Sequence, residues 1–170
     1  MDKYSKITVI AIIAIIIPFT YSALNIYAAE QLQFRWNEQG KFNFFALSNS
    51  GDVEFCNKLP YPTNFKKFEI IPYYDLKNKG IFTIESFSIG PSTHDIQSGV
   101  FYSEGFTEAQ HLFMQLDFEF GGGPIRIDPN KMYVLVNIHT PIIGIIPYYT
   151  TIQYSGYDFS NLMNKNSDCR

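Results

Sequence analysis

The order of apolar and polar residues divides this chain into two unlike parts. Lys3 and Lys6 precede an almost unbroken apolar run from Ile7 to Ala29, its polar members being Thr8, Thr20, Ser22 and Asn25. After Glu30 that continuous run gives way to alternation. Leu32, Phe34 and Trp36 alternate with Gln31, Gln33 and Arg35, and Phe42, Phe44 and Ala46 alternate with Lys41 and Asn43. The clearest alternation is Leu112, Met114, Leu116, Phe118 and Phe120 against Gln115, Asp117 and Glu119. Met132, Val134, Val136 and Ile138 follow, and Tyr148, Thr150, Ile152 and Tyr154 end the series. A period of two predicts half-buried strands. Two more strands are expected over 65–74 and 80–89, and a weaker one over 98–103. One helical turn is expected over 107–110, where Thr107 can cap it.

Turn chemistry separates these segments. Ser50-Gly51-Asp52 and Asn78-Lys79-Gly80 can supply positive φ angles, and the second predicts a hairpin. Asp128-Pro129-Asn130 reads as a type I turn, and the glycines 121–123 before Pro124 end a strand. The fold class predicted is all-β: a single antiparallel β-sandwich following an N-terminal transmembrane helix. The domain plan is an anchor over 1–29, a β-sandwich over 30–160 and a polar C-terminal tail over 161–170.

The leader decides location. A membrane-spanning helix needs roughly 20 mostly apolar residues, and the run from Ile7 to Ala29 exceeds that. A secretory signal has a shorter core and a small-x-small cleavage site. Ile7 to Ile17 fits such a core, but cuts after Ala23, Ala28 or Ala29 place Tyr21, Ile26 or Tyr27 at the upstream recognition position. A retained single-pass anchor is therefore the expectation, with secretion after cleavage as the alternative. Lys3 and Lys6 favour an inside N-terminus and an extracytoplasmic body. The linker to the first strand is very short, so the body must sit close to the bilayer.

Composition narrows the function classes. The net charge is −3, which gives no electrostatic case for nucleic acid. Aromatic residues form 17% of the chain, which supports a packed β-rich body rather than disorder. The two cysteines, Cys56 and Cys169, could form a disulfide outside the cytoplasm or stay as two thiols.

Candidate chemistry is sparse. The three histidines, His94, His111 and His139, show no His-x-His or His-x₃-His spacing, and Cys56 is not followed by the His and Met of a copper site. Asp117 and Glu119 read as the solvated face of a strand. There is no nucleophile elbow, P-loop or dinucleotide fingerprint. No catalytic, cofactor or metal residue is assigned. The feature that stands out is Pro141 to Pro147, where Ile142, Ile143, Ile145 and Ile146 flank Gly144 and Tyr148 and Tyr149 follow. It is either a buried crossover or an exposed loop that docks on a partner or dips into the bilayer.

Three segments carry a resemblance. Phe45-Ala46-Leu47-Ser48-Asn49-Ser50-Gly51 is similar to a strand ending in an Asn-centred turn. Phe68 to Asp75 followed by Gly80 is similar to a strand, turn and glycine. Pro141 to Pro147 with Gly156 is similar to a closing Pro…Gly…Pro…Gly pair of strands. Together they resemble the LEA-14/WHy family of β-sandwich domains, while a fibronectin-III-like or other Ig-like sandwich fits nearly as well. The family resemblance implies a non-enzymatic domain with no catalytic residue. The leading expectation is a non-enzymatic, membrane-tethered β-sandwich for binding or assembly at the cell envelope, such as an accessory subunit of a membrane complex. The alternatives are a stand-alone stress-protective protein, and an envelope metal carrier or enzyme using His94, His111 or His139.

Overall fold

The computed structural model describes residues 3–38, 41–123 and 127–165. Helix α1 (Lys3–Gln31) takes up the apolar leader and is long and apolar enough to cross a membrane. Pro18 lies inside it, as membrane helices tolerate. Only Leu32 separates α1 from the first strand, β1 (Gln33–Trp36).

The strands are β1, β2 (Gly51–Asn57), β3 (Thr63–Phe65), β4 (Lys67–Tyr74), β5 (Lys77–Asn78), β6 (Ile81–Ile84), β7 (Phe87–Ile89), β8 (Thr93–Tyr102), β9 (Met132–His139) and β10 (Tyr149–Ser155). Eight form one curled antiparallel sheet in the order β1-β2-β8-β6-β4-β9-β10, with β5 paired to β4. β3 and β7 make a separate two-stranded ladder. Alternation sets the two faces of the large sheet. Met132, Val134, Val136 and Ile138 of β9 are buried and register with Tyr74, Pro72, Ile70 and Phe68 of β4. Tyr133, Leu135, Asn137 and His139 point to the opposite, open face.

Helices cover the inner face. α2 (Phe44–Ser48), α3 (Phe106–Phe120) and α4 (Gly156–Asn164) contribute Phe44, Leu47, Ala109, Phe113, Leu116, Phe159 and Met163 to one apolar core with the sheet. Many of its rings meet edge to face, as Phe42 does with Trp36 at 5.5 Å and with Phe159 at 5.5 Å. α4 touches both β1 and β10, the two end strands, and so shields the edges of the curl. The Asn164 side chain ties α4 down, accepting from Phe42 N at 2.9 Å and donating to Phe42 O at 3.1 Å.

The expectation of an all-β sandwich therefore holds only in part. Among the described residues the composition is about 38% helix and 37% strand. The largest difference is residues 106–120, expected as a strand and found as α3. Their sequence carries two periods at once. Ala109, Phe113 and Leu116 are buried at helical spacing, and Phe118, prominent in the alternating reading, is exposed. Helix formers dominate the segment and Val and Ile are absent from it. Asp117 and Glu119 consequently do not share a sheet face.

The expected strand over 42–46 is instead a capped helix. Asn43 accepts from Ala46 N, and the Asp117 carboxylate accepts from Phe44 N and Phe45 N at 2.8 Å each, filling the orphan donors of α2. The structure adds β2, a strand paired between β1 and β8 that the reading of 50–52 as a turn concealed; Ser50 alone makes that turn, at φ +68°. The β4–β5 connection turns at Asp75 and Leu76, both at positive φ, and not at Asn78-Lys79-Gly80. α4 also runs across the expected domain boundary between 160 and 161. Its N-terminus is capped by Ser155, which accepts from Asp158 N at 3.1 Å.

Candidate interaction surface beside the N-terminal apolar helix

The polar residues of the leader explain how α1 meets the domain. Ser22, Asn25, Ala28 and Ala29 are buried along one helical face, whereas most side chains from Tyr4 to Phe19 are exposed. Asn25 Oδ1 accepts from Asn64 N at 3.1 Å, in the middle of β3. The Tyr21 hydroxyl is hydrogen-bonded to the Asn64 side chain. Ser22 Oγ accepts from Ile143 N at 2.8 Å. Thr20, Ser22 and Asn25 look like blemishes in an apolar span. Two of the three are instead among the polar contacts by which the C-terminal third of α1 is fixed to the body.

Ile143 belongs to the segment singled out from sequence, which forms an extension of the β9–β10 hairpin. Thr140 N donates to Tyr148 O at 2.9 Å, and Ile142 and Ile146 exchange both backbone hydrogen bonds at 2.9 and 3.0 Å. The tip turns through Ile143 at φ +54° and Gly144 at φ +71°. A β-branched residue in the left-handed region is unfavourable by about 1–2 kcal/mol, so the surroundings must hold it there. The bond from Ile143 N to Ser22 is one such restraint. The expectation of a buried crossover does not hold. Ile145 is 84% exposed and Ile146 52%, Tyr148 and Tyr149 are exposed, and only Ile142 and Ile143 are half-buried.

Beside the bond from Ile143 N to Ser22, a cleft of about 460 Å³ lies between the hairpin tip and α1, lined by Pro18, Tyr21, Phe65, Lys66, Ile143 and Gly144 among others. Tyr149 continues the surface onto the open face of the sheet, its ring 5.3 Å from that of His139. There Glu69 accepts from Lys67 Nζ at 2.7 Å, pairs with His139 Nε2 at 3.0 Å and accepts from Asn137 Nδ2 at 3.4 Å. Burial acts to raise the Glu69 carboxyl, but these partners outweigh it and hold it below the ordinary range. The arrangement fixes side chains across three strands and offers no open coordination position.

The remaining sequence candidates do not converge. His139 is half-buried in the Glu69 network, His94 is exposed on β8, and His111 is exposed on α3. Among the described residues no group of three His, Cys, Asp or Glu side chains is placed to hold a metal ion. Cys56 is buried on β2, opposite His94 in register. Cys169, and with it half of the polar tail, lies outside the described residues. A second apolar area was not foreseen: Phe45, Met114 and Phe118 are exposed around a shallow depression between α2 and the end of α3. The helical spacing of Met114 and Phe118 could have revealed it had the segment been read as a helix.

No family model and no curated protein matches this chain. Among solved structures it is similar to a protein from Archaeoglobus fulgidus, at 8% sequence identity and a TM-score of 0.32, over 73% of this chain and 94% of that one.

Proposed function

We propose that this chain is a non-enzymatic module anchored in the cell membrane by α1, whose extracytoplasmic domain binds or assembles with other proteins at the envelope as an accessory subunit of a membrane complex. The observation that carries this reading is the docking of the outer third of α1 onto the domain through Ser22 and Asn25. With Leu32 alone between helix and sheet, the body has one orientation relative to its anchor. A free-standing tethered domain gains nothing from such rigidity, because a flexible linker would serve it as well. A subunit that must present fixed faces to membrane neighbours does gain from it. Its exposed apolar side chains, Phe45, Met114 and Phe118 on the body and the Ile-rich surface of α1, suit that role.

The test is cross-linking of the tagged full-length protein in its native membranes, with partners identified by mass spectrometry. One partner at fixed stoichiometry, with cross-links mapping to α1 or to the α2–α3 depression, is the expected result. A protein that cross-links only to itself or to a scatter of abundant neighbours would refute assembly. That outcome would favour the stand-alone protective role that the LEA-14/WHy resemblance implies.

A further inference from the structure

We infer that the Ile142–Ile146 hairpin is a second membrane contact, immersed in the outer-leaflet lipid beside α1; this rests on reading α1 as a transmembrane anchor. The reason is a mismatch of lengths. Lys6 marks the near end of the apolar segment, and the domain first grips the helix around Tyr21 and Ser22. From Ile7 to Ser22 an α-helix rises about 22 Å at 1.5 Å per residue, roughly 8 Å less than the ~30 Å hydrocarbon layer of a bilayer. Tilt only widens the shortfall. The part of the body at the level of Ser22 must therefore enter the lipid, or the bilayer must thin to the free length of the helix.

Apart from Lys66, which lines the cleft but is exposed and long enough to reach toward the headgroups, the side chains of the hairpin at that level are suited to entry. The hairpin tip is bonded to Ser22 through Ile143 N, and Ile143 and Gly144 share a cleft with Pro18, about one helical turn deeper. Ile145 and Ile146 project from it and carry no charge. Within the tip, Ile142 and Ile146 satisfy each other's backbone groups, as non-aqueous surroundings require. Tyr148 and Tyr149 follow on the body side, and Tyr27 lies exposed on α1 above the docking point. Tyrosines at such a level match the aromatic belt of a membrane interface. Lipid is thus the occupant that continues from the exposed flank of α1 onto the hairpin.

The experiment uses the purified full-length protein in phosphatidylcholine vesicles, where no partner protein is present. Separate variants Ile145→Trp, Ile146→Trp, Ile13→Trp and Leu76→Trp are compared, with the buried Trp36 as a constant background. Quenching is read with nitroxide-labelled lipids of two depths and with aqueous iodide. The indole at 145 or 146 should emit to the blue of that at 76, lose most of its emission to the shallow lipid label and resist iodide several-fold better. The indole at 13 should respond to the deep label. If 13 responds and neither 145 nor 146 does, the bilayer has thinned and the inference on the hairpin is overturned while the anchor stands. If 13 fails to respond as well, the anchor reading itself fails and the hairpin inference falls with it.

Discussion

Removing two of the polar contacts that hold α1 to the body, those of Ser22 and Asn25, should loosen the helix without unfolding the domain. In the Ser22→Ala/Asn25→Ala double variant, Ile143 N and Asn64 N lose their acceptors, formerly at 2.8 and 3.1 Å. An intramolecular hydrogen bond contributes about 1 kcal/mol net, so the pair contributes about 2 kcal/mol to docking. That is about a thirtyfold rise in the undocked population, at 1.4 kcal/mol per factor of ten. The large sheet and its helices do not depend on these two bonds, and Phe68, Ile70, Val134 and Val136 stay in a core that α1 barely enters. Hydrogen exchange of the full-length protein in lipid nanodiscs, read by mass spectrometry on fragments covering 61–66 and 141–146, measures the effect. Exchange in those fragments should accelerate by one to two orders of magnitude, while fragments from β4 and β9 keep their protection. Unchanged exchange at 64 and 143 would show that Ser22 and Asn25 do not hold the helix. A loss of protection throughout would show that α1 is part of the folding core and not a docked anchor.

Three further outcomes are expected. Burial pushes the Asp117 carboxyl up to about 6 against the hydrogen bonds from Phe45 N and Phe44 N, so the folded state binds its proton more tightly than the unfolded one. Stability should then fall as pH rises from about 4 to 6, by at most about 3 kcal/mol; denaturant titrations of Asp117→Ala should show that slope flattened and a lower overall stability, and an unchanged slope would refute the assignment. Gly99→Ala should destabilise by about 1–3 kcal/mol in the same titrations, because the new methyl would lie 2.2 Å from Phe82 Cζ and 2.9 Å from Ile84 Cγ1, both buried; wild-type stability would mean that this face is looser than described. A non-reducing peptide map should show Cys56 joined to Cys169, closing a loop whose cross-link is worth up to ~4–5 kcal/mol in the chain-entropy model, and recovery of both as thiols would dismiss the bridge.

Where one period dominates, the alternation in the sequence read correctly. β9 is such a case, with Met132, Val134, Val136 and Ile138 facing the core and Tyr133, Leu135, Asn137 and His139 outward. β10 and β1 follow the same rule at the edges. Residues 106–120 show how it fails. Leu112, Met114, Leu116, Phe118 and Phe120 alternate with Gln115, Asp117 and Glu119, yet Phe113 breaks that pattern and the helix wins, because it buries Ala109, Phe113 and Leu116 on one face, with Phe113 against the rings of Phe44 and Phe101. Excess apolar residues hid the stripe, since Met114 and Phe118 lie outside it and are left exposed. α2 was hidden differently. Its five residues are too few for any periodicity, and its stability comes from Asp117, a residue far away in sequence that caps it.

The anchor surface was half legible, and the missing half was tertiary. Ile142, Ile143, Ile145 and Ile146 were conspicuous because an apolar run bounded by prolines needs either a core or a partner, and the sequence could not choose between them. What chooses is the hydrogen bond from Ile143 N to Ser22 across more than a hundred residues. Ser22 and Asn25 carried the complementary signal. A polar residue in a lipid-facing helix is unfavourable unless it finds a partner, so two of them on one face, three residues apart, already imply that something covers that face. The covering element proves to be the protein's own body, through Asn64 and the hairpin tip. On the proposed reading of α1 as a membrane span, the same contacts that spare Ser22 and Asn25 from lipid shorten the free length of the span, and that shortening would bring Ile145 and Ile146 to the membrane.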